Sequence, residues 1–137
     1  MPRLLGNATT GSADSFHAAL ERHQAGDLAG AIVALERAVR ERPSYADLRC
    51  RLASLLLEAG RVDESLEELE VALTLNPRYL EARLLSVRAH LERGAPRAAV
   101  ARAEALITDH PDYPDLHFWL GLARFRAGDL PGAARAL

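Results

Sequence analysis

A glycine returns in this sequence every 34 residues. Gly26, Gly60, Gly94 and Gly128 keep that interval, and Pro43, Pro77 and Pro111 keep it independently. Ala31, Ser65, Ala99 and Ala133 form a third column of small residues. Three columns holding one period over four cycles confine the chain to a repeat architecture, in which each period is one supersecondary unit stacked on its neighbours.

Every period has the same internal order: helix, tight turn, helix, proline break. In the second, Ala46 to Ala59 contains no proline or glycine and is built mostly of good helix formers. Gly60 then supplies the left-handed backbone that closes a helix. A second helical run, Asp63 to Leu75, stops before Asn76-Pro77, where the missing N–H and the restricted preceding residue end propagation. Asp27 and Asp129 follow their glycines as N-caps, and Pro96 sits at a helix start, where its lost donor matters least. Leu52, Leu55 and Leu56 make one apolar stripe at helical spacing, and Leu66, Leu69 and Leu73 another. Ala19, Ala53 and Gly121, with the column of Ala31, provide small residues where two helices approach closely. One such hairpin cannot bury its apolar face alone, so the expected fold is all-α and solenoidal.

These features resemble the tetratricopeptide repeat family. Period, helix–turn–helix layout and closing proline all match. Leu120-Gly121 is similar to the family's Leu-Gly pair; Ala31 with Leu35, Ser65 with Leu69, and Ala133 with Leu137 are similar to its small residue followed by a large apolar one; Ala38 and Ala72 fit its next small column. The resemblance implies a right-handed α-solenoid of antiparallel helix pairs over residues 12–137, behind a flexible N-terminal tail at 1–11. The repeats run 12–45, 46–79 and 80–113, with a truncated fourth at 114–137. Some columns depart from the family. The tryptophan-type column holds Ser15, Arg49, Arg83 and His117, and the tyrosine-type column holds Arg22, Leu56, His90 and Arg124. The third repeat has Ser86-Val87 in place of Leu-Gly and Leu106 where a small residue is usual, which puts its local packing in question. Each repeat closes with a tyrosine, Tyr45, Tyr79 or Tyr113, expected to act as a hydrophobic staple for the next helix.

Composition excludes several classes of function. A net charge of −2 gives no basic face for nucleic acid. All 17 basic residues are arginine, which removes Schiff-base chemistry and a phosphate-loop lysine, and points to a GC-rich, bacterial genome. Met1–Gly11 lacks the apolar core of a signal peptide, so the Asn7-Ala8-Thr9 sequon is taken as coincidence. No stretch has the length of a transmembrane helix, and the single Cys50 cannot form an internal disulfide. The expected location is cytoplasmic. His17, His23, His90, His110 and His117 show no zinc spacing among themselves or with Cys50. Glu67, Glu68 and Glu70, with Asp63 and Glu64, form a solvated helix face. No phosphate loop, nucleophile elbow or dinucleotide fingerprint is present. No catalytic residue, metal or cofactor is therefore expected.

What remains is a surface. The resemblance implies a concave groove lined by the first helix of each pair. Its columns here are Phe16, Cys50, Leu84 and Phe118; then Leu20, Ser54, Arg88 and Leu122; then His23, Leu57, Leu91 and Phe125. Eight of these twelve are Leu or Phe, with Ala13, Asp47, Glu81 and Asp115 as a further, mostly acidic column. The lysines and asparagines with which the family's best-known grooves clamp a C-terminal carboxylate are missing. Such a lining suits an apolar or amphipathic segment of another protein, with Arg88 orienting an acidic group. The alternative is that the same leucines are packing between helices. Two further roles stay open: self-association through an uncapped end around Phe125, Leu130 and Leu137, and service as the repeat region of a larger enzyme.

Overall fold

The computed structural model describes residues 14–128, and these divide into two compact units, with the boundary in sequence after Pro77. Unit one contains α1 (14–24), α2 (Leu28–Glu41), α3 (Ala46–Glu58) and α4 (Val62–Leu75). Unit two contains α5 (Leu80–Arg93), α6 (Pro96–Asp109) and α7 (Pro114–Arg126). No strand occurs among the described residues.

The turns form as the periodic glycines require. Gly26, Gly60 and Gly94 have φ of 82°, 79° and 82°. At α3 the Gly60 N–H donates to the Leu57 carbonyl (3.0 Å) and the Arg61 N–H to that of Leu56 (2.8 Å). The same pair of bonds recurs from Gly26 and Asp27, and from Gly94 and Ala95. This is the two-bond Schellman closure, which satisfies carbonyls that the helix end leaves without partners. The proline breaks are equally regular. Arg42, Asn76 and His110 each precede a proline and end a helix with φ of −134°, −142° and −136°. That is the extended backbone to which a residue before proline is restricted.

Asp27 caps α2, its Oδ1 accepting from the Gly30 N–H at 2.9 Å. Asp129 and Ala133, and the expected tail, lie outside the described residues. Tyrosine as staple needs correction. Tyr45, Tyr79 and Tyr113 occupy the N-cap position itself. Tyr45 is exposed, its ring 5.3 Å from the Arg42 guanidinium carbon and its hydroxyl accepting from Arg42 at 3.0 Å. Tyr113 packs against the core of unit two.

In unit one, Ile32, Leu35, Ala38 and Val39 of α2 pack with Leu48, Leu52, Leu55 and Leu56 of α3 and with Ala19 of α1. In unit two, Val87 and Leu91 of α5 pack with Ala99, Ala103 and Leu106 of α6 and with Leu116, Leu120 and Ala123 of α7. Each fully buried leucine in such a core contributes about 1.5–3 kcal/mol. Close approach of paired helices falls on the small column: Ala31, Ser65 and Ala99 are fully buried. Ser65 resolves its own polarity by donating from Oγ to the Ala53 carbonyl on α3 at 2.7 Å. Repeat three packs despite its departures, with Ser86, Val87 and Leu106 all buried.

Three members of the departing tryptophan-type column, Arg49, Arg83 and His117, act as polar tethers. Arg49 donates from Nε and Nη2 to the Pro43 carbonyl (3.2 and 3.1 Å) and pairs with Glu68 of α4 at 3.1 Å. His117, two periods later, bonds the equivalent Pro111 carbonyl at 3.0 Å through Nε2. Arg83 pairs with Asp109 at the end of α6 at 2.8 Å. Polar tethers to the proline break and to the second helix therefore stand in for an aromatic wedge.

Candidate functional site

The first helix of each pair positions the twelve sequence-selected residues, and the structure sorts them into three groups. Cys50, Leu57 and Leu91 are interior, at 1%, 5% and 4% exposure. For these three the expectation of a solvent-facing lining is corrected: the helix turns them inward, and a buried leucine at helical spacing is core. Phe16, Leu84 and Leu122 are half-buried, Phe16 against the core of unit one and the other two against that of unit two. Leu20, His23, Ser54, Arg88, Phe118 and Phe125 are exposed.

In unit one the exposed strip on α1 and α3 is organised by two bridges between the helices. The Arg51 guanidinium carbon stands 5.2 Å from the centre of the Phe16 ring. The His23 Nε2 lies 3.1 Å from an oxygen of Glu58. Leu20 sits between the two bridges on α1. In unit two, Arg88 of α5 lies over Trp119 of α7, its guanidinium carbon 5.6 Å from the ring centre. Phe118 meets the same indole edge-on, with ring centres 5.6 Å apart at 76°. Arg88 makes no hydrogen bond or ion pair among the described residues, so its N–H donors stay available while the aromatic face holds the side chain in place.

Sequence reasoning missed Arg51, Glu58 and Trp119, each of which organises this strip. The signal was present in the period: Arg51 and Trp119 share one column, a single residue beyond the column of Phe16. Their role depends on which helix stands alongside, and that is a tertiary fact.

Two other features have internal explanations. A cleft of about 360 Å³ in unit one, floored by Val39, Leu52 and Leu56, is crossed by Arg49 and walled by Glu64, Glu67 and Glu68. Arg49 is committed to Glu68 and Pro43, and Glu64 to Arg61, whose guanidinium holds that carboxyl below its ordinary range. On α5, Nδ1 of His90 is buried without a hydrogen-bond partner. Burial, then the Arg102 and Arg93 charges, push the His90 imidazole below its usual pKa. Among the described residues no three His, Cys, Asp or Glu side chains are grouped to hold a metal ion. No described helix is long and apolar enough to cross a membrane.

Comparison with known proteins decides the family. Models described as tetratricopeptide repeat match residues 22–77, 56–106 and 84–137. The chain belongs to the tetratricopeptide repeat family. The repeats of this family build protein-interaction scaffolds that are generally non-catalytic. A search of proteins with curated functions returns no match. Among solved structures, MamA (residues 41 to the end) from Desulfovibrio magneticus superposes with a TM-score of 0.85 at 17% identity, covering 91% of this chain and 71% of that one. A tetratricopeptide repeat protein from Parabacteroides merdae gives 0.82 at 18%, covering 91% and 50%. A thermophilic tetratricopeptide repeat protein of Thermus thermophilus gives 0.74 at 21%, covering 91% and 70%. At these identities the likeness is one of fold, an all-α tetratricopeptide repeat solenoid.

Proposed function

We propose that this chain is an adaptor that holds an apolar or amphipathic segment of another protein against the exposed strips of its first helices. The observation that supports this best is the Arg88–Trp119 pair. Arg88 is exposed, pre-oriented by an indole face, and unpaired among the described residues. Leu122 of α7, half-buried against the core of unit two, holds the same column as Arg88, and Leu20 and Ser54 hold it in unit one. A stacked arginine next to apolar side chains matches a partner that presents a carboxylate beside a hydrophobic stripe, as an amphipathic helix does. Burial of Cys50, Leu57 and Leu91 narrows the candidate lining to Phe16, Leu20, His23 and Ser54 in unit one, and to Leu84, Arg88 and Leu122 in unit two, with Phe118 and Phe125 at the border of the latter. Boundaries at 12–45, 46–79, 80–113 and 114–137 remain our assignment of the repeats.

The test is affinity capture with cross-linking mass spectrometry from the source cell, using wild type and Arg88→Glu. A partner peptide should cross-link near Arg88 in the wild type, and its yield should fall at least tenfold in the variant. Equal capture by both proteins refutes the reading. A synthetic copy of the captured peptide should then perturb the fluorescence of Trp119, the one tryptophan in the chain.

A further inference from the structure

Glu81, Arg88 and Glu92 of α5 reach water along one line, and half-buried Leu84 lies beside the first two. At 3.6 residues per turn, the three charged positions fall within about 40° of one another around the helix. Ala82, Leu85, Ser86, Val87, Ala89 and Leu91 are buried on either side. The exposure belongs to a helix whose neighbour is in place, since α7 shares its core. A segment that reaches Arg88 along α5 therefore meets this line.

The line is unequal at its two ends. Glu81 stands in the first turn of α5, and its period-mate Asp115 in the first turn of α7. Both are exposed, and neither forms an ion pair among the described residues. The dipole of each helix favours a carboxylate there, and the two together make that end acidic. At the other end Glu92 and its period-mate Arg126 bring opposite charges to one level, so that end favours neither sign. Arg88 lies between, two turns or about 10 Å along the axis from Glu81. The Trp119 ring beneath its guanidinium gives the positive charge a fixed place.

Complementarity then sets the chemistry of the occupant. From Arg88 toward Glu81 it needs a carboxylate, an apolar group over Leu84, and a cation. On a helix, groups at i, i+3 or i+4, and i+7 share one face and supply that order. A second carboxylate at the far position would instead be set against Glu81 and Asp115, a like-charge juxtaposition. We propose that the segment seated on unit two is a helix carrying, on one face, a carboxylate for Arg88 and a cation two turns away for Glu81 and Asp115. This rests on the partner-binding reading above and adds to it the second charge and its spacing.

Four amidated peptides of about 18 residues, five helical turns, built of alanine and glutamine with one leucine stripe, serve as probes. The first carries Glu on the stripe and Lys seven positions further on. The second has the same composition with Lys five positions on, which turns it away from that face. The third replaces Lys by Gln, and the fourth replaces Glu by Gln. Binding is read from the fluorescence of Trp119, the one tryptophan in the chain. The first peptide should bind tightest, with the second and third about threefold weaker, the worth of one exposed ion pair. The fourth should be about tenfold weaker, since Arg88 loses a charge-assisted bond. Glu81→Gln with Asp115→Asn should bind the first three peptides alike, with helicity by circular dichroism unchanged because both positions are exposed. Equal binding of the first and second peptides by the wild type, or a preference that survives the double substitution, overturns the proposal; a fourth peptide that stays weak then leaves the role of Arg88 standing. A fourth peptide as tight as the first refutes that role and the proposal with it. So does the failure of all four to bind at about 1 mM.

Discussion

Ser65 is polar yet completely buried, at the point where α4 comes closest to α3. Its neighbours in the column are alanines, so the space accepts two heavy side-chain atoms and no more. Ser65→Ala removes one bond of 2.7 Å and keeps the fit, and is expected to cost about 1 kcal/mol. Ser65→Leu forces the helices apart and should cost about 1–3 kcal/mol or more. Urea denaturation distinguishes them; equal losses would mean that the bond, not the volume, governs this site. His90 makes a pH-dependent counterpart. Its unfolded-state pKa is 6.5 and its folded value is lower, because burial opposes the charge and Arg102 and Arg93 repel it. Between those values the unfolded chain binds a proton that the folded chain refuses. Stability therefore falls as pH drops through 6.5 and levels off below the folded value. Leu56 fills the same column in the previous repeat at 2% exposure, which makes His90→Leu a fitting replacement. That variant should gain stability at pH 5 relative to wild type, gain less at pH 7.5, and show a flatter profile of melting temperature between them.

At the scale of elements, the helix limits depend on glycine and proline, which act through their own backbone. Gly94 sits at φ +82°, and a Cβ built there meets nothing within 4 Å. Gly94→Ala should therefore carry only the left-handed backbone penalty of about 1–2 kcal/mol, with no steric addition. Gly60→Ala should cost the same, since its surroundings are equally open. Chemical denaturation of both variants checks this, and a loss well above that range would reveal a packing role that the geometry lacks. The same locality explains why these turns were legible in the sequence while other parts were not. A residue such as Asn76 before Pro77 ends a helix whatever surrounds it. Arg49, in contrast, occupies a column where an aromatic was expected, and its purpose is visible only once the Pro43 carbonyl and Glu68 stand beside it. Tyr45 misled for a related reason: its partner is Arg42, three residues back, and not the turn that follows it.

For the molecule as a whole, the period fixed the family and the apolar columns, but not which columns meet water. Leu20 and Leu57 look alike in a helical pattern; the first is 36% exposed and the second 5%. What separates them is the column each occupies, since Ser54 and Arg88 in the column of Leu20 are exposed and Leu91 in that of Leu57 is buried, so a lining read from spacing alone mixes packing with surface. In unit two the exposed part of that mixture gathers around Trp119 of α7: Arg88 lies over the indole and Phe118 meets it edge-on. If a partner's carboxylate pairs with Arg88 there, raising ionic strength should weaken capture by the wild type several-fold, because salt screens an arginine–carboxylate pair near the surface. Arg88→Glu should remove that salt dependence together with the capture itself, while helicity by circular dichroism is unchanged. Wild-type capture indifferent to salt would show that the partner is held by the apolar side chains alone, with no part played by Arg88.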